Sequence, residues 1–205
     1  NITVDAGNNN FTGWTSGNTG AAGNILGSSA TGINTTGDNG TVAWGLYANS
    51  GGTAAQVYNF GSNLAVGGSV TIKISLGYID NGGTVGFGLQ NSSGTNRFES
   101  YYIGGNPSDT WKLNDSGGQE NIAGPTTTYS SSSWKIDAAN GYQTIKFTLL
   151  ASDTYSLSFN NVAVTNTGLN IAASDIDRIR IFNFNAGTTS DKDQYYNSLT
   201  VVPEP

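Results

Sequence analysis

The sequence predicts an all-β protein, an antiparallel two-sheet β-sandwich of jelly-roll type with about ten strands. Three observations carry that expectation. Apolar residues alternate strictly with polar ones in short runs: Val70, Ile72, Ile74 and Leu76 in 69–76, then Val85, Phe87 and Leu89, then Ile145, Phe147 and Leu149, then Tyr155, Leu157 and Phe159. A period of two puts each set on one face of a strand, and one-sided burial implies antiparallel sheets packed face to face. Asn-Gly pairs at Asn39-Gly40, Asn81-Gly82 and Asn140-Gly141 supply turn chemistry between such runs. The one helix-like segment, Asn170–Asp175, is too short for more than a single turn.

Taken in chain order, strands are expected near 2–5, 41–48, 54–60, 69–79, 84–91, 96–103, 110–114, 143–150, 153–160 with 162–165, 176–184 and 194–202, some of them merging. In Ile176–Asn185, Arg178, Arg180, Phe182 and Phe184 share one parity and Ile179 and Ile181 the other, so that strand is expected to be buried on both faces near its end. The stretch 6–40 is Gly, Asn, Ser and Thr at most positions and reads as loop-rich, either a surface loop or a lobe wrapping one edge. No composition shift or linker divides the chain, so residues 1–202 read as one domain, with 203–205 the remnant of a sorting motif discussed below.

Composition narrows the chemistry. Charged residues are 11% of the chain and hydrophobic residues 36%, the latter gathered into short β-branched and aromatic runs that can form a core. Cys, Met and His are absent, which removes disulfides, thiolate or imidazole catalysis, and Cys or His metal sites. A net charge of −6 without a Lys/Arg stripe argues against polyanionic partners, nucleic acid first among them. No apolar run approaches the roughly 20 residues that span a bilayer. A start at Asn1-Ile2-Thr3-Val4, without an initiator Met, reads as a processed or trimmed end.

An enzyme has few parts to draw on here. A retaining glycosidase needs two carboxylates about 5 Å apart, and no such run is present; Glu99 shares a strand face with Arg97 and Tyr101 and reads as half of a surface ion pair. No cofactor is expected. A structural calcium is the one metal candidate, from Asp191, Asp193 and Asn197 if the last strand pairs with the first, which carries Asp5; separate solvated turn residues are the alternative. For sugar contact the aromatic candidates are Trp14, Trp44, Trp111 and Trp134, with Tyr101, Tyr102, Tyr195 and Tyr196 beside them, unless these are core.

Val202-Pro203-Glu204-Pro205 resembles the opening of the PEP-CTERM sorting signal of exported proteins in exopolysaccharide-producing Gram-negative bacteria. Thr84–Asn91, Arg178–Gly187 and Tyr195–Leu199 are similar to segments in PEP-CTERM proteins of jelly-roll type, a resemblance that runs from about residue 69 onward. It implies export, an extracellular or cell-surface location and a lectin-like sandwich, with the sequence stopping where exosortase processing is expected to cut. Two functions follow as expectations. The first is a non-enzymatic matrix protein that self-assembles into a homo-oligomer or fibre by strand addition through Ile2, Val4, Leu199 and Val201. The alternative is a non-catalytic carbohydrate-binding module attached to exopolysaccharide, and a hydrolase or lyase ranks behind both.

Overall fold

The computed structural model describes residues 2–4, 6, 11–28, 42–76, 79–105, 110–125 and 143–202. Fourteen strands are formed among them: β1 (Ile2–Val4), β2 (Trp14–Ser16), β3 (Thr19–Ser28), β4 (Val42–Asn59), β5 (Ser69–Leu76), β6 (Thr84–Gln90), β7 (Asn96–Ile103), β8 (Lys112–Asp115), β9 (Gly118–Asn121), β10 (Gln143–Leu149), β11 (Tyr155–Phe159), β12 (Val162–Ala163), β13 (Arg178–Phe184) and β14 (Gln194–Val202). Every pairing is antiparallel, along the path β12-β11-β10-β5-β14-β4-β13-β6-β7-β8-β9. β1 is added to β14, and β2 and β3 to β4. The segment 170–175 forms no helix, and the single helical turn described is Ser190–Lys192.

The alternating runs lie where their periodicity puts them. Val70, Ile72, Ile74, Val85, Phe87, Leu89, Ile145, Phe147, Leu149, Tyr155, Leu157 and Phe159 are all buried in one cluster. On β13 Ile179 and Ile181 face the core, Phe182 is buried on the opposite face and Phe184 is exposed, so burial on both faces stops short of the strand end.

The count of about ten strands is too low, and 41–48 and 54–60 are not separate. They form the 18-residue β4, whose first half pairs with β14 and second half with β13, so one strand serves both arms of the path. Trp14 on β2 shows how sharply β4 turns. Its ring centroid lies 5.0 Å from that of Trp44 and 5.3 Å from that of Tyr58, residues that a straight strand would hold roughly 46 Å apart at ~3.3 Å per residue. The corner is Ser50-Gly51, at φ 46° and 80°. Asn185, just past β13, clips it: the Gly51 N–H donates to Asn185 Oδ1 (2.7 Å) and the Asn185 N–H to the Gly52 carbonyl (3.0 Å).

The stretch 6–40 is correspondingly less loop-like than its composition suggests, because β2 and β3 run along β4 from Trp14 opposite Tyr58 to Ser28 opposite Val42. Main-chain pairing needs no distinctive side chains. Asn81-Gly82 is also not a hairpin turn. Only Gly82 takes positive φ there, and the turn joins β5 to β6, which pair with other strands. Two-residue hairpins are instead Asn160-Asn161, both at positive φ between Phe159 and Val162, and Ser116-Gly117 between Asp115 and Gly118. Asn39-Gly40 and Asn140-Gly141 lie outside the described residues.

The two arms close on each other through aromatic contacts. Phe98 on β7 meets Phe147 on β10 and Tyr155 on β11 at centroid distances of 5.2 and 5.1 Å, and Trp111 meets Phe159 at 5.9 Å. Tyr196 on β14 adds a polar tie, its hydroxyl lying 2.6 Å from the Gly86 carbonyl oxygen and 2.9 Å from that of Phe182. Burial raises this phenol's pKa, so it stays protonated and donates. Tyr196→Phe should therefore lower stability by about 1–2 kcal/mol, the cost of a buried hydrogen bond with its acceptors left behind. Urea denaturation checks this; an unchanged midpoint would show that the hydroxyl does not tie the arms.

Candidate functional site

Inward burial of Ile179, Ile181, Val85, Phe87, Leu89, Phe98 and Leu113 leaves the other parity of the β4-β13-β6-β7-β8-β9 arm on its outer face. Register aligns that face into rows. One runs Arg180, Gly88, Glu99, Asn114, Gln119 across β13, β6, β7, β8 and β9. The next runs Phe182, Gly86, Tyr101, Lys112, Asn121. β6 thus presents glycine at both central outward positions, and the rows differ in what lies over it.

Over Gly86 the gap is closed. Tyr101 and Phe182 pack together with Ala55 and Ile103, and a Cβ on Gly86 would fall 2.2 Å from the Ser100 carbonyl oxygen. Over Gly88 the surroundings are looser but still close, Asn96 Oδ1 at 3.2 Å, Glu99 Cγ at 3.3 Å and the Phe98 carbonyl oxygen at 3.5 Å from the place of a Cβ. Arg180 and Glu99 stand on either side of it, two strand spacings or roughly 9–10 Å apart between their backbones. They form no ion pair among the described residues. The Arg180 guanidinium instead lies 4.9 Å from the Phe182 ring centroid. Burial lowers the Arg180 pKa, while Glu99 acts in the opposite sense.

The remaining groups of the face are amides held in place. Asn114 Nδ2 donates to Glu99 Oε2 at 3.4 Å, the Tyr101 hydroxyl to Gln119 Oε1 at 2.6 Å, and Gln90 Nε2 to Asn96 Oδ1 at 2.7 Å. Burial first and the Glu99 charge second raise the Tyr101 phenol, keeping it a donor. The result is a buried aromatic pair beside a row of amides, a carboxylate and a guanidinium, with Gly88 between the two charged groups. Amides, a carboxylate and a guanidinium are the kinds of group that hydrogen-bond the hydroxyls of a polar ligand.

No family model matches the chain, and no curated protein matches it. Among solved structures, a protein of unknown function with a galectin-like fold from Bacillus subtilis matches with a TM-score of 0.51 over 95% of this chain and 91% of that one, at 13% identity. The chain is similar in fold to galectin-like proteins. Apo Crh5 transglycosylase matches at a TM-score of 0.54 over 94% of this chain and 85% of that one, at 10% identity. The alginate lyase AlgAT5 from polysaccharide lyase family 7 matches at 0.51 over 84% and 82%, at 15% identity. At these identities the likeness is one of fold.

The residues singled out from sequence are mostly elsewhere. Trp44 and Trp111 are fully buried because their parity is the inward one, so neither can meet a sugar. Trp14 is half-buried, with its Nε1 enclosed between the halves of β4. Tyr102, Tyr195 and Tyr196 are also buried. Ile2 and Val4 pair with Val201 and Leu199 of the same chain. Val202 ends β14, while Pro203, Glu204, Pro205, Trp134 and Asp5 lie outside the described residues.

Among the described residues no three His, Cys, Asp or Glu side chains gather closely enough for a metal ion. Asn197, a calcium candidate by sequence, is a backbone clip: its Oδ1 accepts from the Ala6 and Ser198 N–H groups and its Nδ2 donates to the Val42 carbonyl. Asp193 accepts from the Tyr195 hydroxyl at 3.4 Å. Glu99 is not the partner of Arg97, which forms a bidentate pair with Asp175 at 2.6 and 2.8 Å. The site residues the sequence reading missed, Arg180 with Gly86 and Gly88, carried one signal: Val85-Gly86-Phe87-Gly88-Leu89 places glycine at successive outward positions.

The Arg97–Asp175 pair sets an acid dependence. The Arg97 hydrogen bonds hold the Asp175 carboxyl down at about 2, from an ordinary 3.8. A depressed folded-state pKa contributes stability that is present above the unfolded value and lost as pH falls through the folded one. Stability should therefore decline between pH 3.8 and about 2, and Asp175→Asn should flatten that limb while lowering stability at neutral pH. With Asp175 42% exposed the effect is modest. Denaturation midpoints at neutral and acid pH check it, and parallel pH profiles for the two proteins would refute it.

Proposed function

We propose that this chain is a non-catalytic, lectin-like saccharide-binding protein, exported to the cell surface or extracellular matrix. The observation that carries the binding reading is the polar row Arg180–Gly88–Glu99, with Arg180 and Glu99 half-buried at its ends, continued by Asn114 and Gln119 and backed by the buried pair Tyr101 and Phe182. A sugar ring offers hydroxyls to Glu99 and to the amides of Asn114 and Gln119. The galectin-like fold is consistent with this use of a sheet face. Among the described residues the row carries one carboxylate, where glycoside hydrolysis uses two. The likeness of Val202-Pro203-Glu204-Pro205 to the PEP-CTERM motif supports the exported setting.

Retention of the purified protein in gels containing polysaccharides tests this. Glu99→Gln should weaken retention at least tenfold, about the 1.4 kcal/mol or more of one charge-assisted hydrogen bond. Gly88→Val should abolish it by filling the row, and both variants should keep the wild-type circular dichroism. Retention that survives Gly88→Val would place the ligand elsewhere.

A self-assembling matrix role would require β1 to leave Leu199–Val201 of its own chain for those of a neighbour. With that pairing made internally, light scattering should report a 21.2 kDa monomer; a concentration-dependent ladder of larger species would restore the fibre.

A further inference from the structure

Cations near the polar row are nearly all committed. Arg97 holds Asp175, Arg178 holds Asp177 Oδ1 at 3.1 Å and the Ser92 carbonyl at 2.6 Å, and Lys112 Nζ holds Asn121 Oδ1 at 2.8 Å. Arg180 differs. Its guanidinium has the Phe182 ring beside it and no hydrogen-bond acceptor among the described residues, although the side chain is only partly exposed. A half-buried guanidinium with no acceptor among the described residues keeps its N–H donors available to a ligand. Neutral hydroxyls suffice for Glu99 and the amides. For Arg180 a carboxylate is the acceptor that matches both the charge and the fork of the donors.

We propose that the Arg180 end of the row is a subsite for the carboxylate of a uronate unit, so that the ligand is an acidic polysaccharide; this rests on the saccharide-binding reading above. A planar carboxylate fits the fork of a guanidinium with two parallel N–H···O bonds. The ring of Phe182 holds the guanidinium in place and leaves its donor edge free. Charge distribution agrees. Across the whole chain acidic residues outnumber Lys and Arg by 14 to 8, which argues against polyanions in general. On the outward parity of this arm, with Arg178 neutralised by Asp177, Arg180 and Lys112 stand against Glu99. A local excess of positive charge favours an anionic group at this face despite the negative charge of the whole chain. The neutral hydroxyls of the same sugar chain then continue along Gly88 toward Glu99 and Asn114.

Affinity electrophoresis of the full chain tests this with a panel of uronate polysaccharides, each also in its fully methyl-esterified, neutral form, and a sulfated galactan. Wild type should bind an acidic form at least tenfold more tightly than its ester, with the preference shrinking as NaCl is raised. Arg180→Gln should remove the preference while leaving binding to the ester, and Arg180→Lys should retain part of it, as a point charge without the fork. Lys146→Gln, the same charge change at an exposed position of the other arm, should leave it intact. Equal binding to acid and ester, an acid preference that survives Arg180→Gln in a folded variant, or tighter binding to sulfate than to carboxylate would each overturn the uronate subsite while leaving saccharide binding standing. Binding to no polysaccharide in any form would overturn both.

Discussion

The fold depends on one corner. β4 is both the last strand of one arm and the first of the other, and it can be so only because Ser50-Gly51 reverses its course within a few residues. Positive φ at two successive positions is costly for most residues and free for glycine. What repays that geometry is the meeting of the arms: Phe98 against Phe147 and Tyr155, and Trp111 against Phe159. Fully burying one such side chain is worth about 1.5–3 kcal/mol. The partner ribbon bends with β4, and Trp14 lodges in the angle between Trp44 and Tyr58.

From that corner the outer face follows without further choices. Once Thr53–Asn59 are registered against β13, and β13 against β6, alternation sends Ile179 and Ile181 inward and Arg180 and Phe182 outward. The same register sets Gly86 and Gly88 between the outward residues of β13 and β7. A slip of one residue would bury Arg180 and expose the isoleucines, so the hydrophobic core itself enforces the geometry of the polar row. Residues carried on paired strands are also held more tightly than residues on loops.

This explains what the sequence made legible. Local alternation marked Val70–Ile74, Val85–Leu89, Ile145–Leu149 and Tyr155–Phe159 as one-sided strands, because the period of a strand is written in its own residues. Which strands lie side by side is not written locally. Glu99 and Arg180 are 81 positions apart, and only the intervening β6 makes them neighbours in a row. The corner was hidden for a related reason, since Asn49-Ser50-Gly51-Gly52 has the composition of a loop and the hydrogen bonding of a strand. Size and aromaticity drew attention to the tryptophans, yet Trp44 and Trp111 are large because the core needs filling.

The most informative residues of the outer face are those that fail a local rule. A charged side chain partly removed from water ordinarily acquires a partner, as Arg97 does with Asp175 and Arg178 with Asp177. Arg180 has Glu99 on its own face and does not reach it, because Gly88 and the width of β6 intervene. Its contact with Phe182 contributes about 0.5–1 kcal/mol, less than a hydrogen-bonded ion pair would, so fold stability alone does not account for the arrangement. A glycine at position 88 adds nothing to strand stability either. Two departures from what the sheet would prefer thus lie side by side on one row: a guanidinium without an acceptor among the described residues, and a glycine over which the side chains of Asn96 and Glu99 close to 3.2 and 3.3 Å of the place of a Cβ.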